Sequence, residues 1–176
     1  MAIDWKVEQA TRTMLGHAIR HELDALAETI HSVGKETFLG TISLCLLASA
    51  YVAIDVSGMR WPNDVVLRKI ADNASESATG LDISDEEIFQ YLSRIALGSE
   101  KLDDVFSAEG IATVPLYATA NLLLTFCPRD KDWWEYLDQI WEAAEIAERT
   151  NVTVLPALML LARKQSTRRD DSPNRG

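Results

Sequence analysis

The three histidines of the chain lie close together in the sequence, and two carboxylates share their spacing. Successive members of this group are four, three, four and three residues apart: His17, His21, Asp24, Glu28 and His31. On one continuous α-helix, these steps place all the side chains along a single stripe. Histidines one turn apart can bind a divalent metal ion, and Glu28 and His31 have the Glu-x-x-His spacing found in carboxylate-bridged metal bundles. The stripe therefore carries one hypothesis, a metal-dependent all-helical enzyme.

The same stripe also fits a simpler interpretation, which is solvated surface. Metal bundles of that kind use the Glu-x-x-His motif twice, and the chain has no further histidine for a second copy. The stripe is offset by about 200° from the apolar positions of the same segment, so it faces away from the core. We therefore predict no metal and no cofactor, and we keep the metal enzyme as the alternative.

A run of carboxylates in the C-terminal half has the residue types that bind magnesium. The run consists of Asp85, Glu86, Glu87, Glu100, Asp103 and Asp104. Gln90 stands where a second carboxylate of the first pair is needed. The helix macrodipole favours acidic side chains in a first turn, and this accounts for the first three members without a metal. We predict no catalytic residue here.

The segment 132–149 is predicted to be a long amphipathic helix that carries an acidic stripe. Its predicted core positions are Trp133, Leu137, Ile140, Ala144 and Ala147. Trp134 and Trp141 flank the acidic stripe, and tryptophan is a frequent interface anchor. The predicted partner-binding residues are Trp134, Glu135, Asp138, Trp141, Glu142 and Glu145. The alternative is that both tryptophans pack inside a many-helix core.

Charge is distributed unevenly along the chain. Residues 1–162 carry 25 acidic and 12 basic side chains, whereas the last 14 residues carry five basic and two acidic ones. Two segments, 82–109 with net −6 and 130–149 with net −5, supply most of the excess negative charge. Net charge is an argument about partners, and this distribution disfavours direct binding to nucleic acid. The basic end could contact an acidic surface or a second copy of the chain, so a homo-oligomer stays open.

From these features we predict a non-catalytic, acidic helical interaction protein that binds a basic protein surface. The most concrete version is an immunity- or antitoxin-like inhibitor. Electrostatic complementarity of this kind speeds association and makes it dependent on salt.

The elements that must position these residues are all predicted to be helices. The predicted helices span 4–33, 35–55, 63–74, 84–98, 99–109, 115–126 and 132–149, with a last one from residue 156. Asn63 or Asp64 caps the third, and Ser84 with Glu87 forms a capping box. No segment has the period of two that strands need. The predicted fold class is all-α, a single domain of about eight helices over residues 1–165 followed by a disordered basic tail, 166–176.

The second predicted helix is the most apolar one. Residues 37–54 contain no charged side chain, which just reaches the length of a membrane span. Polar residues such as Thr41 and Ser49 dilute the run, and no cluster of positive charge flanks it. We therefore predict that it is the buried centre of a soluble bundle, with no membrane contact.

The opening residues are charged where a secretory signal needs an apolar run, which favours the cytoplasm. Cys45 and Cys127 are predicted to be reduced packing residues.

A weak internal repeat is also predicted. Residues 85–95 align with residues 130–140 and share an aspartate, a tyrosine, a leucine and an isoleucine at an offset of 45. A period of this size is typical of paired-helix repeats, although such repeats usually need three or more copies.

Overall fold

The computed structural model describes residues 4–58, 60–76, 81–96 and 107–149, and every regular element in these ranges is an α-helix. The helices are α1 (Trp5–Ile19), α2 (Leu23–Ser32), α3 (Lys35–Val56), α4 (Asp64–Ser75), α5 (Asp85–Ala96), α6 (Ala108–Phe126) and α7 (Trp133–Arg149). The all-α fold class is confirmed. Most of the helix predicted at 99–109, the helix predicted from residue 156, the domain boundary at 165 and the basic tail lie outside the described residues.

The single helix predicted over residues 4–33 is wrong, because the chain breaks between α1 and α2. His21 has a φ of 58°, which is the left-handed conformation that stops a helix. The Glu22 N–H donates a hydrogen bond to the carbonyl of His17 at 2.8 Å. The carboxylate of Glu22 accepts a hydrogen bond from Arg20 Nε at 2.9 Å and lies 2.7 Å from His17 Nδ1. These contacts hold α1 and α2 at a corner.

The caps predicted for α4 and α5 are confirmed. The side-chain oxygen of Asn63 accepts a hydrogen bond from the Val66 N–H at 3.1 Å. The side chains of Ser84 and Glu87 each accept a hydrogen bond from the other residue's backbone N–H. The Glu87 N–H donates to Ser84 Oγ at 3.2 Å, and the Ser84 N–H donates to the Glu87 carboxylate at 2.9 Å. Both motifs satisfy donors that a helix start leaves without an intrahelical partner.

The predicted start of α6 at Pro115 is wrong. The helix begins about two turns earlier, at Ala108, where Ser107 Oγ accepts the N–H of Gly110 at 3.2 Å. Pro115 therefore stands inside the helix, where it cannot donate to the carbonyl of Ile111. Proline is common in the first turn of a helix, and here that preference was a misleading start signal.

The apolar helix predicted at 35–55 is present as α3, and it packs against α1, α5, α6 and α7. Hydrogen bonds between hydroxyl side chains join it to two of its neighbours inside the protein. The hydroxyls of Ser49 and Thr119 in α6 lie 2.9 Å apart, and Thr11 of α1 donates to Thr41 at 3.3 Å. All four side chains are buried. Among the described residues, α3 is also the one helix whose length and hydropathy would suffice to cross a membrane.

Aromatic side chains take part in the contacts of α4, α5 and α7. In the α4–α5 pair, the guanidinium of Arg68 lies 3.7 Å from the centre of the Phe89 ring. In the α3–α7 contact, the Tyr136 hydroxyl donates to Asp55 Oδ2 at 2.8 Å, and its ring packs edge-on against Tyr51. The tyrosine and leucine shared by the two predicted repeat copies are buried in both. However, α5 packs mainly on α4, whereas α7 contacts α3 and α6, so the repeat stays a prediction.

Candidate partner-binding surface

Helix α7 begins directly after Asp132, whose N–H donates to the carboxylate of Glu135 at 2.9 Å. Of the predicted core positions, Leu137 and Ile140 are fully buried and Trp133 is partly buried. Tyr136 is buried as well, through its contacts with α3. The side of α7 that faces the core is therefore wider than the predicted stripe.

The opposite side of α7 carries the predicted acidic stripe. Glu135, Asp138 and Glu142 are exposed, and Glu145 is partly exposed. Trp134 stands beside them with 45% of its surface exposed, and its ring lies edge-on to that of Trp133. An exposed tryptophan among carboxylates is unusual because tryptophan is mostly buried in folded proteins. Five of the six predicted partner-binding residues thus lie at the surface of one helix.

The assignment of Trp141 to this surface is wrong. Trp141 is only 5% exposed, and its indole nitrogen is buried without a hydrogen-bond partner in the described part of the chain. The reason is helical spacing. Trp141 follows Leu137 by four residues and Ile140 by one, so it lies within the buried arc.

Arg12 of α1 is a member of this surface that the sequence did not reveal. Its Nη2 donates to the Asp138 carboxylate and, at 2.9 Å, to the carboxylate of Glu8 one turn earlier. Its Nη1 lies 3.5 Å from the carbonyl oxygen of Trp134. Partial burial opposes the charge of Arg12, but the hydrogen bonds to Glu8 and Asp138 raise its pKa above the ordinary value.

This contact makes the surface a composite of two helices. Here the name acidic face means the α7 residues Trp134, Glu135, Asp138, Glu142 and Glu145 together with the α1 residues Glu8 and Arg12. Helix α1 contributes one positive charge, on Arg12, and one negative charge, on Glu8. These two charges cancel, so the face stays strongly negative. Trp5, which is 65% exposed, follows the same side of α1 as Glu8 and Arg12. The composite therefore has a second exposed tryptophan on its α1 side.

Two of the three carboxylates of α5, Glu86 and Glu87, are already bonded to their neighbours, whereas Asp85 is exposed. Glu86 accepts hydrogen bonds from Gln90 Nε2 at 2.7 Å and from Arg68 Nη1 at 2.6 Å. These bonds, the one from Gln90 first, lower the pKa of Glu86. Glu87 serves the capping box with Ser84. Glu100, Asp103 and Asp104 lie outside the described residues.

The histidine stripe is divided by the break between α1 and α2. His17 is in the last turn of α1, His21 is the left-handed residue of the corner, and the remaining three members are in α2. His31 Nδ1 contacts the carbonyl oxygen of Ala27 at 2.7 Å. In the described ranges, no three His, Cys, Asp or Glu side chains are grouped closely enough to hold a metal ion.

Within the corner, His17 contacts a carboxylate that is not part of the stripe, namely Glu22. Hydrogen bonds from Arg20 and then His17 lower the pKa of Glu22 to about 2. This arrangement stabilises the corner, because a carboxylate that accepts hydrogen bonds favours its charged form.

Two other features could carry chemistry. Cys45 is fully buried, and burial raises the pKa of its thiol to about 12, whereas Cys127 is only partly buried. Between α1, α2 and the start of α3 lies an open cleft of about 330 Å³, lined by Lys6, Gln9, Ala10, Thr13, Thr29, Val33 and Thr37. Among the described residues, no histidine, cysteine or carboxylate lines this cleft, so its lysine and threonines have no adjacent base to activate them.

Comparisons of the chain with protein-family models, with curated proteins and with solved structures find no match.

Proposed function

We propose that this protein is a non-catalytic, acidic helical protein that binds a basic protein surface through the acidic face. The most concrete version is an immunity- or antitoxin-like inhibitor. The single observation that carries the proposal is the exposure of Trp134 among the carboxylates of α7.

The carboxylates and the exposed tryptophan contribute differently to the proposed binding. An exposed ion pair contributes only about 0.2–1 kcal/mol, so the carboxylates mainly speed association and select basic partners. Burial of an aromatic anchor supplies more of the affinity, and Trp134 has exposed ring surface left to bury. The affinity should therefore depend on Trp134, and its salt dependence should depend on Glu135 and Glu142.

The contact made by Arg12 supports this assignment. Within the protein, one guanidinium already binds to the Asp138 carboxylate and approaches the Trp134 carbonyl. A basic partner would place further guanidinium or ammonium groups beside it, next to Glu142. Guanidinium groups suit this task because their planar donors match carboxylate oxygens.

The proposal includes a soluble, cytoplasmic protein in which α3 is a core helix of a single domain. Its support is the polar contacts of α3, since Thr41 and Ser49 are bonded to α1 and α6 of the same chain rather than left for lipid. The proposal also keeps the helix predicted from residue 156 and the disordered basic tail predicted at 166–176.

The experiment is affinity capture from the native host at low and at high salt. The test variant is Glu135→Gln with Glu142→Gln, in which glutamine keeps the helix start able to accept a hydrogen bond. The matched control is Asp72→Asn with Glu76→Gln, since both are exposed and the change in net charge is the same. A third variant is Trp134→Ala.

The expected result is a basic protein that the wild type and the control recover at low salt and lose at high salt. The α7 double variant and Trp134→Ala should recover much less of it. Equal recovery by the α7 double variant and the control would refute the acidic face as the binding site. Recovery of no basic protein by the wild type at low salt would refute the function.

A further inference from the structure

The chain itself contains a basic segment that matches the acidic face in charge. Residues 163–175 carry five basic and two acidic side chains. The basic ones are Arg163, Lys164, Arg168, Arg169 and Arg175. This segment follows α7 after 13 residues, so it is tethered directly to the helix that presents the carboxylates.

The tether is long enough for the segment to return to α7. From the end of α7 at Arg149 back to Asp138 is about 17 Å along the helix axis, at 1.5 Å per residue. A connection of 13 residues spans up to about 43 Å when fully extended, and still about 30 Å with the helix predicted from residue 156 in it. A tether of this length would hold its segment at an effective concentration on the order of millimolar, at which even weak charge pairing is populated.

Glu142 of the acidic face is a better acceptor than Glu86 and Glu87 of α5. Glu86 is bonded to Arg68 and Gln90, and Glu87 is bonded to Ser84. In contrast, Glu142 on α7 is exposed and accepts no hydrogen bond within the described ranges. Trp134 adds an exposed ring over which a guanidinium can stack.

We propose that residues 163–175 bind the acidic face of their own chain and compete there with a basic partner. This inference rests on the proposed function, because the face is the same. The inference adds regulation of partner binding. The partner must displace residues 163–175, so it must carry more positive charge than this segment or pack better against Trp134. The tail thereby sets a threshold for binding.

The first experiment is zero-length carbodiimide cross-linking of the full chain at low salt, followed by peptide mapping. Lys164 is the only lysine after Lys131, so its cross-links report on the segment alone. We expect monomeric protein to contain links from Lys164 to Glu142 and its neighbours on α7. High salt and the variant Glu135→Gln with Glu142→Gln should reduce them at least several-fold, whereas the control Asp72→Asn with Glu76→Gln should keep them.

Three results would overturn the inference. The first is an absence of Lys164 cross-links, and the second is equal yield with carboxylates outside the acidic face. The third is links that join only different copies, which a mixture of isotopically labelled and unlabelled protein detects. That last result would assign the face to a second copy of the chain instead.

The second experiment measures competition, with a fluorescein-labelled octa-arginine peptide as the probe and fluorescence anisotropy as the readout. The test variant is Arg168→Gln with Arg169→Gln and Arg175→Gln. The control is Lys35→Gln with Arg60→Gln and Lys69→Gln, which are exposed and change the net charge equally. The test variant should bind the probe about 3–10-fold more tightly than the control, as expected when a tethered competitor is weakened.

The two experiments separate the inference from the proposed function. If octa-arginine binds through Glu135 and Glu142 with the same affinity in both variants, the competition is refuted while the function stands. If Lys164 cross-links to α7 but neither variant binds the probe, the segment occupies the face and the function fails.

Discussion

The contact between α1 and α3 at Gly40 gives the sharpest stability prediction. A Cβ atom at this position would lie 2.7 Å from Cγ1 and 2.9 Å from Cγ2 of Val7. Valine is β-branched and has few alternative rotamers in a helix, so it cannot move away cheaply. The change Gly40→Ala therefore forces α1 and α3 apart.

Two opposing effects set the magnitude. Replacing glycine by alanine inside a helix raises the free energy of unfolding by about 0.5–1 kcal/mol, because alanine loses less backbone entropy on folding. Overpacking of a well-packed contact costs about 1–3 kcal/mol. Gly40→Ala should therefore lower the free energy of unfolding, by up to about 2.5 kcal/mol. In the presence of Val7→Ala both Cγ atoms are gone, so the same change should instead stabilise by about 0.5–1 kcal/mol.

The assay is urea unfolding followed by circular dichroism, for the wild type, the two single variants and the double variant. The control is Gly34→Ala, since a Cβ there meets nothing within 4 Å and its effect should be the same with or without Val7→Ala. A stabilising effect of Gly40→Ala in the wild type, or simple additivity with Val7→Ala, would refute the close approach of α1 and α3.

Three further predictions concern single contacts. Tyr136→Phe removes the hydrogen bond to Asp55 and should lower the free energy of unfolding by about 1–3 kcal/mol in urea titrations; an unchanged value would show that the hydroxyl is equally well bound to water. The pKa of Glu22 is lowered to about 2, chiefly by Arg20, so its contribution to stability is complete above its ordinary value of 4.5 and is lost as pH falls towards 2. The melting temperature of Glu22→Gln should accordingly lie below that of the wild type at neutral pH and converge with it over that range. Cys45, whose pKa is raised to about 12 by burial, should react with a maleimide only as fast as the protein unfolds, and rapid labelling of the native protein would contradict its burial.

The parts of the fold that depend on neighbouring residues could be predicted from the sequence. The caps at Asn63 and at Ser84 with Glu87 involve partners three residues away, so the sequence contains both halves of each motif. The acidic stripe of α7 was also predictable, because alternation of core and surface along a helix is a local pattern.

The errors arose where the deciding contact is not local or has no residue signature. The corner at His21 was missed because the chain takes a left-handed conformation at a residue that is neither glycine nor asparagine. The spacing of Trp141 from Leu137 is compatible with burial, but the width of the α7 face that is covered depends on α3 and α6, which the sequence of α7 does not show. Arg12 was missed because its partner Asp138 is 126 residues away.

The packing of α3 has a consequence for the synthesis of the protein. Its most extensive partner is α6, which begins 52 residues after α3 ends. At a translation rate of about 5–20 residues per second, the ribosome needs roughly 3–10 seconds to make that stretch. During this interval, the buried surface of α3 around Ser49, which packs on α6, has only α1 and later α5 available to cover it. The nascent chain therefore passes through a stage at which part of the apolar surface of α3 is uncovered, and a chaperone can compete with folding there.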